Sequence, residues 1–98
     1  MAYDIEFSED AESHYRQFTA RQQALLADAI EEQLTDQPTT PTRNRKHLRP
    51  NRVAEWELRV GEFRVFYDFE EDRAVVAVVS IGVKKRNKLY IGGEEFAL

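Results

Sequence analysis

The stretch WELRVGEFRVFYD, residues 56–68, decides the fold. Trp56, Leu58 and Val60 alternate with Glu57 and Arg59, and the same period resumes at Phe63, Val65 and Tyr67. A period of two sends successive side chains to opposite faces, so each half reads as a strand with one apolar face. Gly61-Glu62 between them fits a two-residue hairpin turn with glycine at the first central position, where φ must be positive. Closed there, the hairpin pairs Val60 with Phe63, Leu58 with Val65 and Trp56 with Tyr67. That apolar face needs a cover. The other face sets Arg59 opposite Arg64, Glu57 opposite Phe66 and Glu55 opposite Asp68. Directly opposed like charges cost from a fraction of a kcal/mol to about one. An anion between Arg59 and Arg64 would relieve the first pair, and guanidinium groups bind phosphate bidentately. The alternative is an ordinary polar face in which Arg and Glu pair diagonally.

The cover lies upstream. Ala2 to Phe7 alternates, with Tyr3, Ile5 and Phe7 on one side, and reads as a half-buried strand. Ser8 is a suitable N-cap, followed by Glu9 and Asp10 where the helix dipole favours acids. Ala11, Tyr15 and Phe18 recur at helical spacing. Thr19 with Gln22 fits a capping box that starts a second helix, whose stripe is Leu25, Leu26, Ala29, Ile30 and Leu34. The short link makes the pair an antiparallel hairpin. Residues 42–52 read as a basic loop, and Ala54 falls in the alternation of Trp56. Downstream, Arg73 to Ile81 is apolar on both faces and reads as a central strand that Gly82 breaks. Leu89 to Ile91 makes a short final strand, and Gly92-Gly93 a turn. The expected fold is α/β in the α+β sense: one domain over residues 1–98, with an N-terminal strand and a two-helix hairpin packed on a mainly antiparallel twisted sheet of about four strands.

Composition agrees. A chain of 98 residues can bury about 60 to 68% of the surface it exposes unfolded, enough for one modest core. The eleven aromatic residues weigh against global disorder. The longest apolar stretch, Ala74 to Val83, is half the roughly 20 residues of a membrane-spanning helix. With no cysteine, disulfides, thiol nucleophiles and cysteine metal sites are excluded. The N-terminus carries acids where a signal peptide carries bases, so a cytoplasmic protein without a membrane partner is expected.

Charge is unevenly spread. Residues 1–42 hold two basic and nine acidic residues, whereas residues 43–98 hold twelve basic and nine acidic ones. Two segments have bases and no acid: RNRKHLRPNR (43–52), with Arg43, Arg45, Lys46, Arg49 and Arg52, and VKKRNK (83–88), with Lys84, Lys85, Arg86 and Lys88. Such segments bind a polyanion locally or form solvated loops. His14 and His47 lie far apart in unlike elements, so no metal site is expected; His14 reads as a helix-surface residue and His47 as part of the basic loop.

WELRVGEFRVFYD (56–68) and VVSIGVKKRNKLY (78–90) resemble the RelE/ParE superfamily of bacterial toxins. There a strand ending in Leu-Arg is followed by a turn, then aromatic-Arg-x-x-Tyr, then a strand ending in Ile-Gly before a basic stretch. The resemblance implies a toxin encoded beside an antitoxin, and in the RelE branch a ribosome-dependent endoribonuclease that cuts mRNA by 2′-hydroxyl attack and needs no cofactor. It places Arg64 at the transition-state phosphate, Tyr90 against the nucleotide, and Lys84 where RelE-like chains carry arginine. Glu55 and Glu57 depart from the pattern, standing where the RelE branch has lysines; Glu57 is then the expected general base. The expected RNA contacts are Arg43, Arg45, Lys46, Arg49, Arg52, Arg59, Lys85, Arg86 and Lys88. The expected partners are a cognate antitoxin, in a possible toxin–antitoxin heterotetramer, and the ribosome with its mRNA. Phe96 and Leu98 offer docking surface or fold onto the chain's own core. A ParE-like DNA gyrase inhibitor and a catalytically weak antitoxin-binding relative are the alternatives.

Overall fold

The computed structural model describes residues 2–98. Strand β1 (Asp4–Phe7) leads into α1 (Glu9–Arg16) and α2 (Ala20–Leu34); β2 (Arg45–His47), β3 (Trp56–Val60), β4 (Phe63–Glu70), β5 (Val75–Lys85), β6 (Lys88–Ile91) and β7 (Glu94–Phe96) follow. The sheet runs β2-β3-β4-β5-β6-β7, antiparallel throughout. β1 pairs in parallel with the first part of β5, Val75 to Val78, and β6 pairs with its last part, Gly82 to Lys85.

The helices begin where their caps place them. Ser8 Oγ accepts from Ala11 N–H at the start of α1, and Thr19 and Gln22 close a reciprocal capping box at the start of α2. Their link is fixed by Gln23, whose side-chain amide donates to Phe18 O, while Tyr15 O–H donates to Gln23 O. α1 lies on β5 and β1, and α2 reaches β3. Leu26, Ile30 and Leu34 of α2 and Ala11 of α1 pack on Leu58, Val65, Tyr67, Val76, Val78 and Ile81. Truncating a side chain as enclosed as Leu58 costs about 2 to 5 kcal/mol. The opposite face carries a smaller cluster of Ala54, Phe66 and Ile91, flanked by Leu48, Leu89 and Phe96.

The hairpin register is the expected one, from Val60 with Phe63 to Trp56 with Tyr67, and Gly61 has φ 59°. A bulge interrupts β4 and β5: Phe66 pairs with Ser80 but Tyr67 with Val78, leaving Val79 over. The carbonyl of Val79 accepts from Ser8 Oγ at 2.7 Å, so the bulge anchors the entry of α1.

Several expectations are corrected. Two helices pack on a mainly antiparallel sheet as expected, but among the described residues that sheet has seven strands rather than about four. The basic loop contains β2, whose three residues pair with Leu58, Glu57 and Trp56. Gly82 does not end β5; it pairs with Arg64 and Ile91, and β5 continues to Lys85. A Cβ at Gly82 would lie 2.8 Å from Tyr90 O, so glycine serves the close approach of β6 there. Residues 71–73 form a 3₁₀ turn, and β5 starts at Val75 rather than Arg73. Ala54 packs with Phe66, on the face opposite that of Trp56. His14 is not a free surface residue: its Nδ1 accepts from Ile81 N–H at 3.2 Å. Phe96 folds onto the chain's own second cluster, whereas Leu98 is exposed.

Candidate functional site

The face of the sheet opposite the helices carries a cavity of about 710 Å³. Lys46, Arg49, Glu57, Arg64, Lys84 and Lys88 line it, and the C-terminal residues Glu95 to Leu98 form part of its rim. Backbone pairing explains the gathering. β2 sets Lys46 opposite Glu57, and the β3–β4 turn sets Arg64 one rung from Glu57. β5 brings Lys84 alongside, two residues beyond Gly82, the partner of Arg64.

Arg64 is the buried member, with its side chain 8% exposed. Its Nη1 donates to Gly61 O (2.8 Å) and Phe63 O (2.9 Å), and its Nε lies 3.8 Å from Glu57 Oε1. Burial pushes the guanidinium pKa down from its ordinary value; Glu57 opposes that shift and Arg59 adds to it. An arginine starts so high that it stays charged. The opposed Arg59 and Arg64 therefore part company. Arg64 folds against the turn and pairs diagonally with Glu57, while Arg59 stays exposed outside the cavity lining. The acidic rung is resolved differently: Asp68 Oδ1 accepts from the backbone N–H of Glu55 at 2.7 Å.

The arginine-rich loop before β3 is held by Asn51, a residue the sequence reading passed over. Its amide donates to Arg49 O and Ala54 O, and its carbonyl oxygen accepts from Val53 N–H and Ala54 N–H. This uses both donors and both lone pairs. An Asn in a Pro-Asn-Arg stretch is itself a turn signal, which could have found it.

The expected site residues do not all converge. Arg64, Glu57, Lys84, Lys46, Arg49 and Lys88 line the cavity. Glu55 lines a neighbouring pocket with Arg52 and Asp68. Arg52 sits over the Phe96 ring at 5.2 Å, and Arg43 is exposed at the start of the loop. Arg45 is corrected from RNA contact to structural residue: only 8% exposed, it donates through Nη1 to Gln33 O and Oε1 and through Nε to Thr40 O. There it neutralises the carbonyl end of α2, where the helix dipole favours a cation. Tyr90 is the larger correction. It pairs with Val83 and shares the helix-side face, in a second cavity with His14, Phe18, Lys85 and Arg86. The sheet separates it from Arg64. The signal was the Arg86-Asn87 turn, both residues at positive φ, which pairs Lys84 with Leu89 and Val83 with Tyr90. His47 stacks on Trp56, their ring centroids 4.9 Å apart. Among the described residues no three His, Asp or Glu side chains gather as metal ligands.

Chemically, the first cavity offers a carboxylate as proton acceptor, a fixed guanidinium beside it and flexible ammonium groups around both. Such a set can hold a phosphodiester and move a proton at it.

The comparisons with known proteins agree with this fold. An Escherichia coli protein described as RelE-like toxin is 24% identical over 90 residues, spanning 92% of each chain. The crystal structure of the RelBE2 toxin–antitoxin complex from Mycobacterium tuberculosis contains a chain that superposes with TM-score 0.71 at 19% identity, covering 86% of this chain and all of that one. A chain of the intact E. coli RelBE complex gives TM-score 0.55 at 20% identity, covering 87% of this chain and all of that one. At these identities the structural likeness is one of fold. The family model described as ParE toxin of type II toxin–antitoxin systems matches residues 5–88, and the chain belongs to that family of toxins.

Proposed function

We propose that this toxin is a ribosome-dependent endoribonuclease that cleaves mRNA in the cavity around Glu57 and Arg64. The supporting observation is the carboxylate of Glu57, 3.8 Å from a buried guanidinium and opposite Lys46, in a cavity also lined by Arg49 and Lys84. Glu57 takes the proton of a ribose 2′-hydroxyl, whose oxygen attacks the adjacent phosphorus. The bond from phosphorus to the 5′-oxygen breaks, and Lys46 or Lys84 returns a proton to that oxygen. The products are a 2′,3′-cyclic phosphate and a free 5′-hydroxyl. Arg64 and the lysines offset the charge that builds on the phosphoryl oxygens, where donors preset in a partly dry site are most effective. The chain is acidic overall, so the cationic cavity is where an RNA strand approaches. A cognate antitoxin is the proposed protein partner, holding the toxin inactive in the cell.

A second reading, inhibition of DNA gyrase without nuclease chemistry, is favoured by the ParE description of the family model and by Tyr90 standing apart from Arg64. Induced expression separates the two. Under the endoribonuclease reading, transcripts are cut as growth stops, and Lys46→Ala/Lys84→Ala abolishes both effects while the protein stays folded, because both lysines are exposed. Growth arrest with intact transcripts and gyrase-dependent DNA breaks would select the second reading.

A further inference from the structure

Strand β1 leaves β5 at Val78, and β6 joins it at Gly82. The end of α1 lies over this gap, where His14 Nδ1 accepts from Ile81 N–H. Between α1 and the β5–β6 hairpin remains the helix-side cavity of about 650 Å³, within the usual size of a small-ligand site. Its floor is apolar: Phe18, Val83 and Tyr90 line it and are only half-buried. One end is cationic: Lys85, Arg86 and Lys88 stand at the hairpin turn, and no acid lines the cavity. Apolar surface left open inside a charged rim marks a binding groove.

The two chemistries are set apart along the hairpin. Lys85 pairs with Lys88 near the turn, and Gly82 pairs with Ile91 near His14. From one rung to the other the floor runs about 10 Å, three residues at about 3.4 Å each. A ligand that satisfies both needs an anionic head and an apolar body. A neutral hydrophobe leaves the cations unpaired, and a compact polar anion leaves the floor wet. Lys88 lines the Glu57 cavity as well as this one. Its contact with Glu95, 4.0 Å and exposed, is weak enough for an incoming anion to replace.

We infer that this second cavity binds a small amphipathic anion, its carboxylate on Lys85, Arg86 and Lys88 and its apolar body along Phe18, Val83 and Tyr90, and that occupancy draws Lys88 away from the Glu57 cavity. The cavity is then an effector site, coupled to the other through one shared cation. The inference goes beyond the nuclease reading and can fail alone, because no RNA, ribosome or cleavage enters it.

The test is a titration of the isotope-labelled full chain with sodium octanoate, whose chain is about as long as the floor, followed by amide chemical shifts. The expected shifts centre on Val83, Tyr90 and Gly92 and include the His14 ring. Octanoate should bind about tenfold more tightly than hexanoate, since each buried methylene is worth about fourfold. 1-Octanol, which lacks the charge, should bind about threefold more weakly or worse. Lys85→Gln/Arg86→Gln changes two exposed side chains and should bring octanoate down to the level of octanol. Saturating octanoate should weaken inorganic phosphate at the Glu57 cavity, read at Lys46 and Lys84, by about two- to fivefold. No shifts at these residues, equal affinity for hexanoate or for octanol, or phosphate binding indifferent to bound octanoate would overturn the inference. Tighter binding of adenosine 5′-monophosphate or of hexaglutamate at the same residues would also overturn it, by assigning the cavity to a nucleotide or to an acidic protein segment. These shifts in a wild type that leaves mRNA intact would support the anion site and remove only the nuclease.

Discussion

Replacing Glu57 with glutamine keeps the side chain's shape and removes its charge, so it tests structure and chemistry together. At the 3.8 Å that separates Glu57 Oε1 from Arg64 Nε, opposite unit charges attract by about 1 kcal/mol in water and about 4 kcal/mol at an effective dielectric constant of about 20. The Glu57 side chain is 21% exposed, which places the pair between those limits, and at that distance the contact is an ion pair rather than a hydrogen bond, so a neutral glutamine gives up its attraction. The expected cost of Glu57→Gln is about 1 to 2 kcal/mol. For a domain of this size that lowers Tm by roughly 4 to 16 °C, and a typical stability of about 5 kcal/mol or more leaves the variant folded at room temperature. The catalytic loss should be far larger, about 10² to 10⁴ in rate, the usual contribution of a positioned general base. Thermal melting by circular dichroism reads the first effect, and cleavage of ribosome-bound mRNA at matched protein concentration reads the second. A folded Glu57→Gln protein that cuts at the wild-type rate would refute the role of base. An unchanged or raised Tm would refute the pairing with Arg64.

Three further outcomes are expected. Arg45→Ala should lower stability by about 2 to 4 kcal/mol in denaturant titrations, because it leaves Gln33 O and Thr40 O without their charged donor, and should leave the salt dependence of RNA binding unchanged; a lower salt slope with intact stability would restore Arg45 to the RNA surface. Gly82→Ala should cost about 1 to 3 kcal/mol and speed amide exchange in β6, since its Cβ would press on Tyr90 O at 2.8 Å; wild-type stability would contradict the close approach. Burial lowers the pKa of His14 from its ordinary 6.5, with Asp10 pulling the other way, so the unfolded chain takes the proton first as pH falls. The contribution of His14 to stability is then full above 6.5 and declines as pH drops through 6.5 towards the lower folded value, where protonated Nδ1 can no longer accept from Ile81 N–H. His14→Gln should flatten that decline, and a wild type whose stability rises as pH falls through this window would show the sign to be wrong.

The central hairpin was legible because two signals agree there. Gly61 permits the turn, and strict alternation on both sides leaves one register that buries Leu58 and Val65 together. The helix starts were legible through local chemistry, Ser8 and the Thr19–Gln22 box. What escaped was set by partners distant in sequence. Arg-Lys-His in β2 has no apolar alternation and becomes a strand because β3 offers an open edge. Gly82 looks like a breaker, yet its role is to let β6 come close. Arg45 looks like any other base of its run, and only the carbonyl end of α2 above it makes it structural. The cavity was half legible: the Glu57–Arg64 neighbourhood follows from the hairpin, whereas Lys46 needs β2, and the separation of Tyr90 needs the Arg86-Asn87 turn.

The most direct test of the nuclease reading is cell-free translation of a defined mRNA with the purified toxin, mapping 5′ ends with and without ribosomes. The account predicts cuts within the decoded codon that require ribosomes, leave 5′-hydroxyl ends and vanish in folded Glu57→Gln. Full-length transcripts and undisturbed translation, with active ribosomes and excess folded toxin, would contradict it.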